Sequence, residues 1–152
     1  MIQFFIPGHP PRVTKQMKKI IFSRGRVMHI DTPELKEATA FLQEKMLPFR
    51  PRTPLVGPLK LIAVWVFPHL KGAGKSTRES IIYKDTAPDL GNMEKLFADV
   101  MQRMGFFAND GQIACEPLVK VWGPKPGIAV SVSEMTGPVE EWVTDLIEEV
   151  VR

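Results

Sequence analysis

Cysteine is almost missing from this chain: Cys115 is the only one in 152 residues. No internal disulfide and no cysteine-built zinc cluster can form, so a reduced, cytoplasmic setting is the expectation. Long apolar runs are missing as well. The longest, Leu61 to Phe67, is far too short to span a bilayer. The opening stretch, MIQFFIPGHPP, lacks the basic start and apolar core of a secretory leader. There is no internal repeat and no low-complexity segment, and 44% hydrophobic residues exclude a disordered chain. What remains is a single domain over residues 1–152, long enough to bury a core.

Net charge is only +3, too little by itself to name a polyanionic partner. Its distribution is more telling. Arg12, Lys15, Lys18, Lys19, Arg24 and Arg26 crowd the first 30 residues, and Glu140, Glu141, Asp145, Glu148 and Glu149 sit near the end. A basic lobe with an acidic tail suits a polyanion approaching one side, or is simply a solvated surface.

IQFFIPG reads as a first strand, and KKIIFSRGRVMHI as a hairpin about Arg24-Gly25. DTPELKEATAFLQEKML carries helix-start chemistry: Asp31 or Thr32 as cap, Pro33 in the first turn, Glu34 at the positive end of the dipole. Leu35, Ala38, Leu42 and Met46 then share one face. A proline-rich connector leads to LKLIAVWVF, the clearest strand. A second helix is predicted from Leu90 to Met104, ended by Gly105. QIACEPLVKVW and GIAVSVSEM read as strands paired through GPKPG. GPVEEWVTDLIEEVV reads as an amphipathic helix with Val139, Trp142, Val143, Leu146, Ile147 and Val150 inward. The order predicts an α+β fold, a mixed β-sheet with helices packed on it.

HLKGAGKST, after the strongest strand, invites a phosphate-loop reading. That motif needs a glycine five residues before Gly74, where this chain has His69, and a helix opening at Lys75, for which STRESIIYKD offers no apolar stripe. No nucleotide cofactor is therefore expected. A basic loop is, and its Lys71, Lys75 and Arg78 can meet a phosphate backbone or stay solvated.

The densest chemistry lies in TAPDLGNMEKLFADVMQRMGFFANDGQI, Thr86 to Ile113. Leu90, Met93, Phe97, Val100 and Met104 fall on one helical arc, and Asn92, Lys95 and Asp99 on the opposite side. Each polar residue has a structural explanation. Asp89 can cap the helix, Asp110 can serve a turn, and Lys95 can pair with Asp99. Together, two carboxylates and a lysine also suit magnesium-dependent phosphodiester hydrolysis, in which carboxylates hold a hard cation and an ammonium steadies developing charge.

The same stretch resembles the RusA Holliday junction resolvases. It is similar to that family's Asp-x-Asp-Asn motif with a lysine three residues on, a helix, and a closing Asp-Asp-x-Gln. FFIPGHPPRVTKQ resembles the family's first strand and Pro-Gly-x-Pro turn with a following lysine. The similarity runs over about residues 2–135, with the helix at about 138–151 as an extension. The resemblance implies a homodimeric, Mg2+-dependent endonuclease (Mn2+ substituting) that cuts four-way DNA junctions symmetrically. It carries Asp89, Lys95 and Asp110 over as catalytic and Asp89 and Asp110 as metal ligands, and matches Asn92 to the motif asparagine; Asn92, Lys15 and the loop cations Lys71, Lys75 and Arg78 are the expected DNA contacts. Two positions depart from the pattern: Gly91 stands for the second aspartate and Asn109 for the first of the closing pair. Asp99 is then the expected substitute ligand, while Glu94 lies about 100° from Lys95 on the wheel. A junction-binding protein of the same fold with weakened cleavage, or a small protein-interaction module using the acidic C-terminal helix, are the alternatives.

Overall fold

The computed structural model describes residues 1–13 and 18–151. Lys15, one of the expected DNA contacts, lies outside them. The elements run β1 (Ile2–Pro7), β2 (Lys18–Ser23), β3 (Arg26–Asp31), α1 (Pro33–Met46), β4 (Leu59–Pro68), α2 (Lys75–Glu79), β5 (Ile82–Tyr83), α3 (Leu90–Arg103), β6 (Ile113–Cys115), β7 (Leu118–Gly123), β8 (Gly127–Glu134) and α4 (Glu141–Val150). The main sheet has the order β1-β8-β4-β7-β5, with β6 also on β4, and β2–β3 form a separate hairpin. β4 pairs in parallel with β7 and antiparallel with β8, so the sheet is mixed and the fold is α+β as the sequence predicts.

β4 organises the domain. Leu59, Leu61, Ala63, Trp65 and Phe67 are buried on one face, where α1 delivers Leu35, Ala38, Leu42 and Met46. α3 adds Met93, Leu96, Phe97, Val100 and Met101. Trp65 meets Phe97 edge-on, and burial of each such side chain stabilises the fold by about 2 kcal/mol. Caps fix the helix ends. The Thr32 hydroxyl accepts from Leu35 N–H, and Gly105, at φ +78°, ends α3 in the left-handed region. Arg24 and Gly25 both have positive φ, the requirement of a tight hairpin turn.

Four local expectations are corrected. β7 and β8 are not partners, because β4 lies between them and the Gly123–Gly127 segment crosses over its end. The predicted strand Gln112–Trp122 breaks in two around Glu116-Pro117, where proline has no N–H to give the ladder. A five-residue helix, α2, opens at Lys75 where a loop was expected. α4 does not turn its apolar stripe inward: Trp142, Leu146, Ile147 and Val150 are all more than half exposed.

Strand directions sort the loops. The segments after β1 and β4 and the β7–β8 crossover gather at one end of the sheet. β8 delivers α4 to the other end, beside the first residues of β1 and β4. Among the described residues no helix is long and apolar enough to cross a membrane.

Candidate active site

The segment leading to α3 is pinned by two lysines that sequence reasoning passed over. Lys120 Nζ donates to the carbonyls of Thr86 and Pro88, at 2.8 and 2.9 Å. Lys84 is buried at 5% exposure, donates to Thr86 Oγ1, and lies over the rings of Trp122 (4.1 Å) and Phe67 (5.3 Å). Desolvation, followed by the charges of Lys120 and Arg12, pushes its pKa down. The signal was faint, a lysine just after a two-residue strand.

Asp89 then caps α3, its Oδ1 accepting from Asn92 N–H at 3.0 Å. The capping role open from sequence is thus filled, and the carboxylate stays exposed. Lys95 is exposed on the next turn. Asp99 is mostly covered and pairs with Arg103 at 3.9 Å.

The turn after α3 is stitched from several sides. Gln112 Oε1 accepts from the N–H groups of Ala108 and Asn109, both at 3.0 Å, and its Nε2 donates to the carbonyls of Leu55 and Gly57. Asn109 Oδ1 accepts from Gly111 N–H at 2.7 Å, a task that asks for a side-chain oxygen and is met by Asn as well as Asp. Gln102 Oε1 takes the Asp110 N–H at 3.1 Å. Every one of these bonds holds the backbone, and among the described residues none engages the Asp110 carboxylate.

Glu94, set aside on the helical wheel, supplies the unexpected feature. It precedes Ala98 and Met101 by four and seven residues, both buried, so it tilts under the β6–β7 linker and reaches Glu116. Burial, then the charge and hydrogen bond of Glu116, push its pKa up to about 7; Lys95 counters this and Asp110 adds to it. Glu116 is pushed up as well, by burial, with its contact to Glu94 acting in the opposite sense. Glu116 Oε1 is sealed from solvent and has no hydrogen-bond partner among the described residues. Two carboxylates crowded without a donor are costly unless a proton or a cation sits between them.

Among the described residues, no three carboxylate, imidazole or thiol groups are already gathered closely enough to hold an ion. The donor chemistry nonetheless fits a hard divalent cation: Glu94 lies within electrostatic reach of both Glu116 and Asp110, and Glu116 Oε1 is orphaned. Gly91 adds room. A Cβ there would lie 3.6 Å from Asp89 Oδ1, in ordinary contact, and its φ is not positive. Lys71 and Lys75 are exposed on the segment after β4, and Arg78 Nε donates to Ala73 C=O at 2.6 Å.

Residues 7–133 match the protein family described as Endodeoxyribonuclease RusA. No curated protein matches the chain. The matched span holds every candidate catalytic residue and excludes α4.

Proposed function

The chain belongs to the RusA endodeoxyribonuclease family, and from that premise we propose that it resolves four-way DNA junctions by Mg2+-dependent phosphodiester hydrolysis, as a homodimer. The observation that carries the reading is the crowded Glu94–Glu116 pair, with the charges of Asp110 and Lys95 acting on Glu94, and with Glu116 Oε1 lacking a partner among the described residues. Glu94, Glu116 and Asp110 would hold the metal, with Asp89 reaching it from the cap. Glu94 or Glu116 supplies the oxygen that the chain lacks at Gly91. A hard divalent cation held by these residues would supply Lewis-acid polarisation of a phosphate and activation of water. Lys95 places an ammonium against the charge that develops on the phosphate and leaving oxygen. The Lys84 and Lys120 clamp on residues 86–88 keeps Asp89 in register with that ammonium.

DNA reaches the site from the basic end of the sheet, where Lys71, Lys75 and Arg78 contact phosphates and Asn92 lies at the start of α3. Such contacts release counterions, so affinity falls steeply with salt. Two symmetric cuts in one junction ask for two sites related by a twofold axis, hence the dimer. A second reading, a junction-binding protein that no longer cuts, is favoured by Gly91 alone.

A four-way junction incubated with the protein, with and without Mg2+, separates the two. Paired nicks that need the metal support resolution. A mobility shift with no nick under either condition transfers the assignment to the binding protein.

A further inference from the structure

Two apolar surfaces stand without a partner among the described residues, and their charges are opposite. α4 turns Trp142, Leu146, Ile147 and Val150 to solvent. On a helical wheel Asp145 and Glu149 border that stripe, on its Trp142 side. The helix is nonetheless fixed at its start. Lys60 Nζ pairs with Glu140 Oε1 at 2.6 Å, and Trp142 Nε1 donates to Glu140 Oε2 at 2.8 Å. α4 is thus held beyond the sheet with its stripe outward.

The β2–β3 hairpin is the basic counterpart. Its register sets Lys19 opposite Ile30, Ile21 opposite Met28, and Ser23 opposite Arg26, so one face reads cation, apolar centre, cation. Met28 and Ile30 on that face are 48% and 37% exposed. The other face is the more apolar, with Phe22, Ile20 and Val27 all more than half exposed, but its lysine, Lys18, is already shared with Asp31 at 3.9 Å. Charge complementarity therefore selects the face of Lys19 and Arg26 for an acidic, apolar helix. Two copies of α4 do not satisfy one another, because five acids and no base lie between Glu140 and Val150.

The two surfaces cannot meet within one chain. The hairpin is tied to the end of β1 and the start of α1, whereas α4 follows β8 at the opposite end of the sheet. Ten residues of β4 separate these ends by about 30 Å. β1 is a free edge of the sheet. Two copies set side by side and antiparallel about a twofold axis bring the α4 end of each to the hairpin end of the other.

We propose that α4 of each protomer docks on the Lys19–Arg26 face of the hairpin of a second copy, so that one twofold dimer covers both surfaces twice. This rests on the homodimer part of the proposed function and is independent of DNA cleavage. It also gives α4, which lies outside the family match, a task.

The test is self-association of the full chain by sedimentation velocity, with junction cutting measured on the same samples. Asp145→Lys with Glu149→Lys, and separately Lys19→Glu with Arg26→Glu, change only exposed positions, and circular dichroism checks the fold. Each pair should weaken the dimer by at least about tenfold, and a chain carrying all four should regain wild-type association to within about threefold. A monomeric wild type overturns the proposal, and so does a dimer indifferent to either pair or unrestored by the fourfold exchange. A dimer that follows these rules but never cuts refutes the nuclease reading alone. A protein that cuts, with association blind to the exchanges, refutes this contact alone.

Discussion

At the N-terminus of α3 the Asp89 carboxylate has a backbone donor at 3.0 Å and open solvent around it. Barely a turn and a half further on, Glu94 faces Glu116 under the β6–β7 linker, with no donor for Glu116 Oε1. The first carboxylate helps the helix to form. The second pair opposes folding whenever both are charged, because burial and mutual repulsion act together. Asp99, tied to Arg103, belongs with the first kind, and Asp110, held only through its backbone, with the second. The contrast separates carboxylates that the fold uses from carboxylates that it merely tolerates, and under the proposed function a metal would offset that cost.

The largest effect should come from the groups with no structural task. Asp110→Asn and Lys95→Ala should each lower junction cleavage at least about a hundredfold, with junction binding and melting temperature nearly unchanged. For Lys95→Ala the loss should fall on turnover rather than affinity. Asp89→Asn keeps the cap, so any loss of cleavage in that variant reports the ligand alone. Single-turnover cleavage with parallel binding assays checks all three, and near wild-type rates in Asp110→Asn or Lys95→Ala would break the division.

Gly91→Asp sharpens the comparison by moving a carboxylate to the capped end. The backbone allows it, the nearest contact is an ordinary 3.6 Å, and the helix dipole favours it. Cleavage at limiting Mg2+ should rise by up to about tenfold if Glu94 and Glu116 leave a coordination place open. With the set already complete, the added charge should leave cleavage unchanged.

Much of the fold was legible and much of this site was not, for the same reason. Local periodicity and caps were enough for α1, with Leu35, Ala38, Leu42 and Met46 buried as predicted, and for β4 and the Arg24-Gly25 hairpin. Asp89, Lys95 and Asp110, all three exposed, were singled out by resemblance to a family motif. Glu94 was not, because a wheel shows which way a side chain leaves its helix but not what arrives to meet it. Glu116 arrives from a break in a predicted strand, created by Pro117. The β7–β8 pairing failed for a similar reason: an edge of β4 wanted a partner more than the two strands wanted each other. α4 went the other way, since its stripe was real but, among the described residues, no surface of its own chain comes to cover it.

The smallest expected effects are on stability, and they run in opposite directions at the two ends. Asp89→Ala removes a cap and should cost about 1 kcal/mol. Glu94→Gln should stabilise the metal-free fold at pH 8 by about 1 kcal/mol, a shift discounted heavily because the group is partly solvated. With its folded pKa raised to about 7 from 4.5, the native state holds more protons than the unfolded chain between those values. Its contribution to unfolding free energy therefore falls as pH rises through that window. Urea melts at pH 5 and pH 8 should show the Glu94→Gln advantage at pH 8 and its disappearance at pH 5.

Metal binding, read without any turnover, tests most directly whether the crowded pair is the cation site. Calorimetric titration of Mn2+ into the metal-free protein at pH 8 should give a site that Glu116→Gln weakens about ten- to a hundredfold, and that acidification toward pH 5 weakens in the wild type, because proton and metal compete for the same oxygens. A Glu116→Gln protein that binds Mn2+ as tightly as the wild type, with the same dependence on pH, would contradict it.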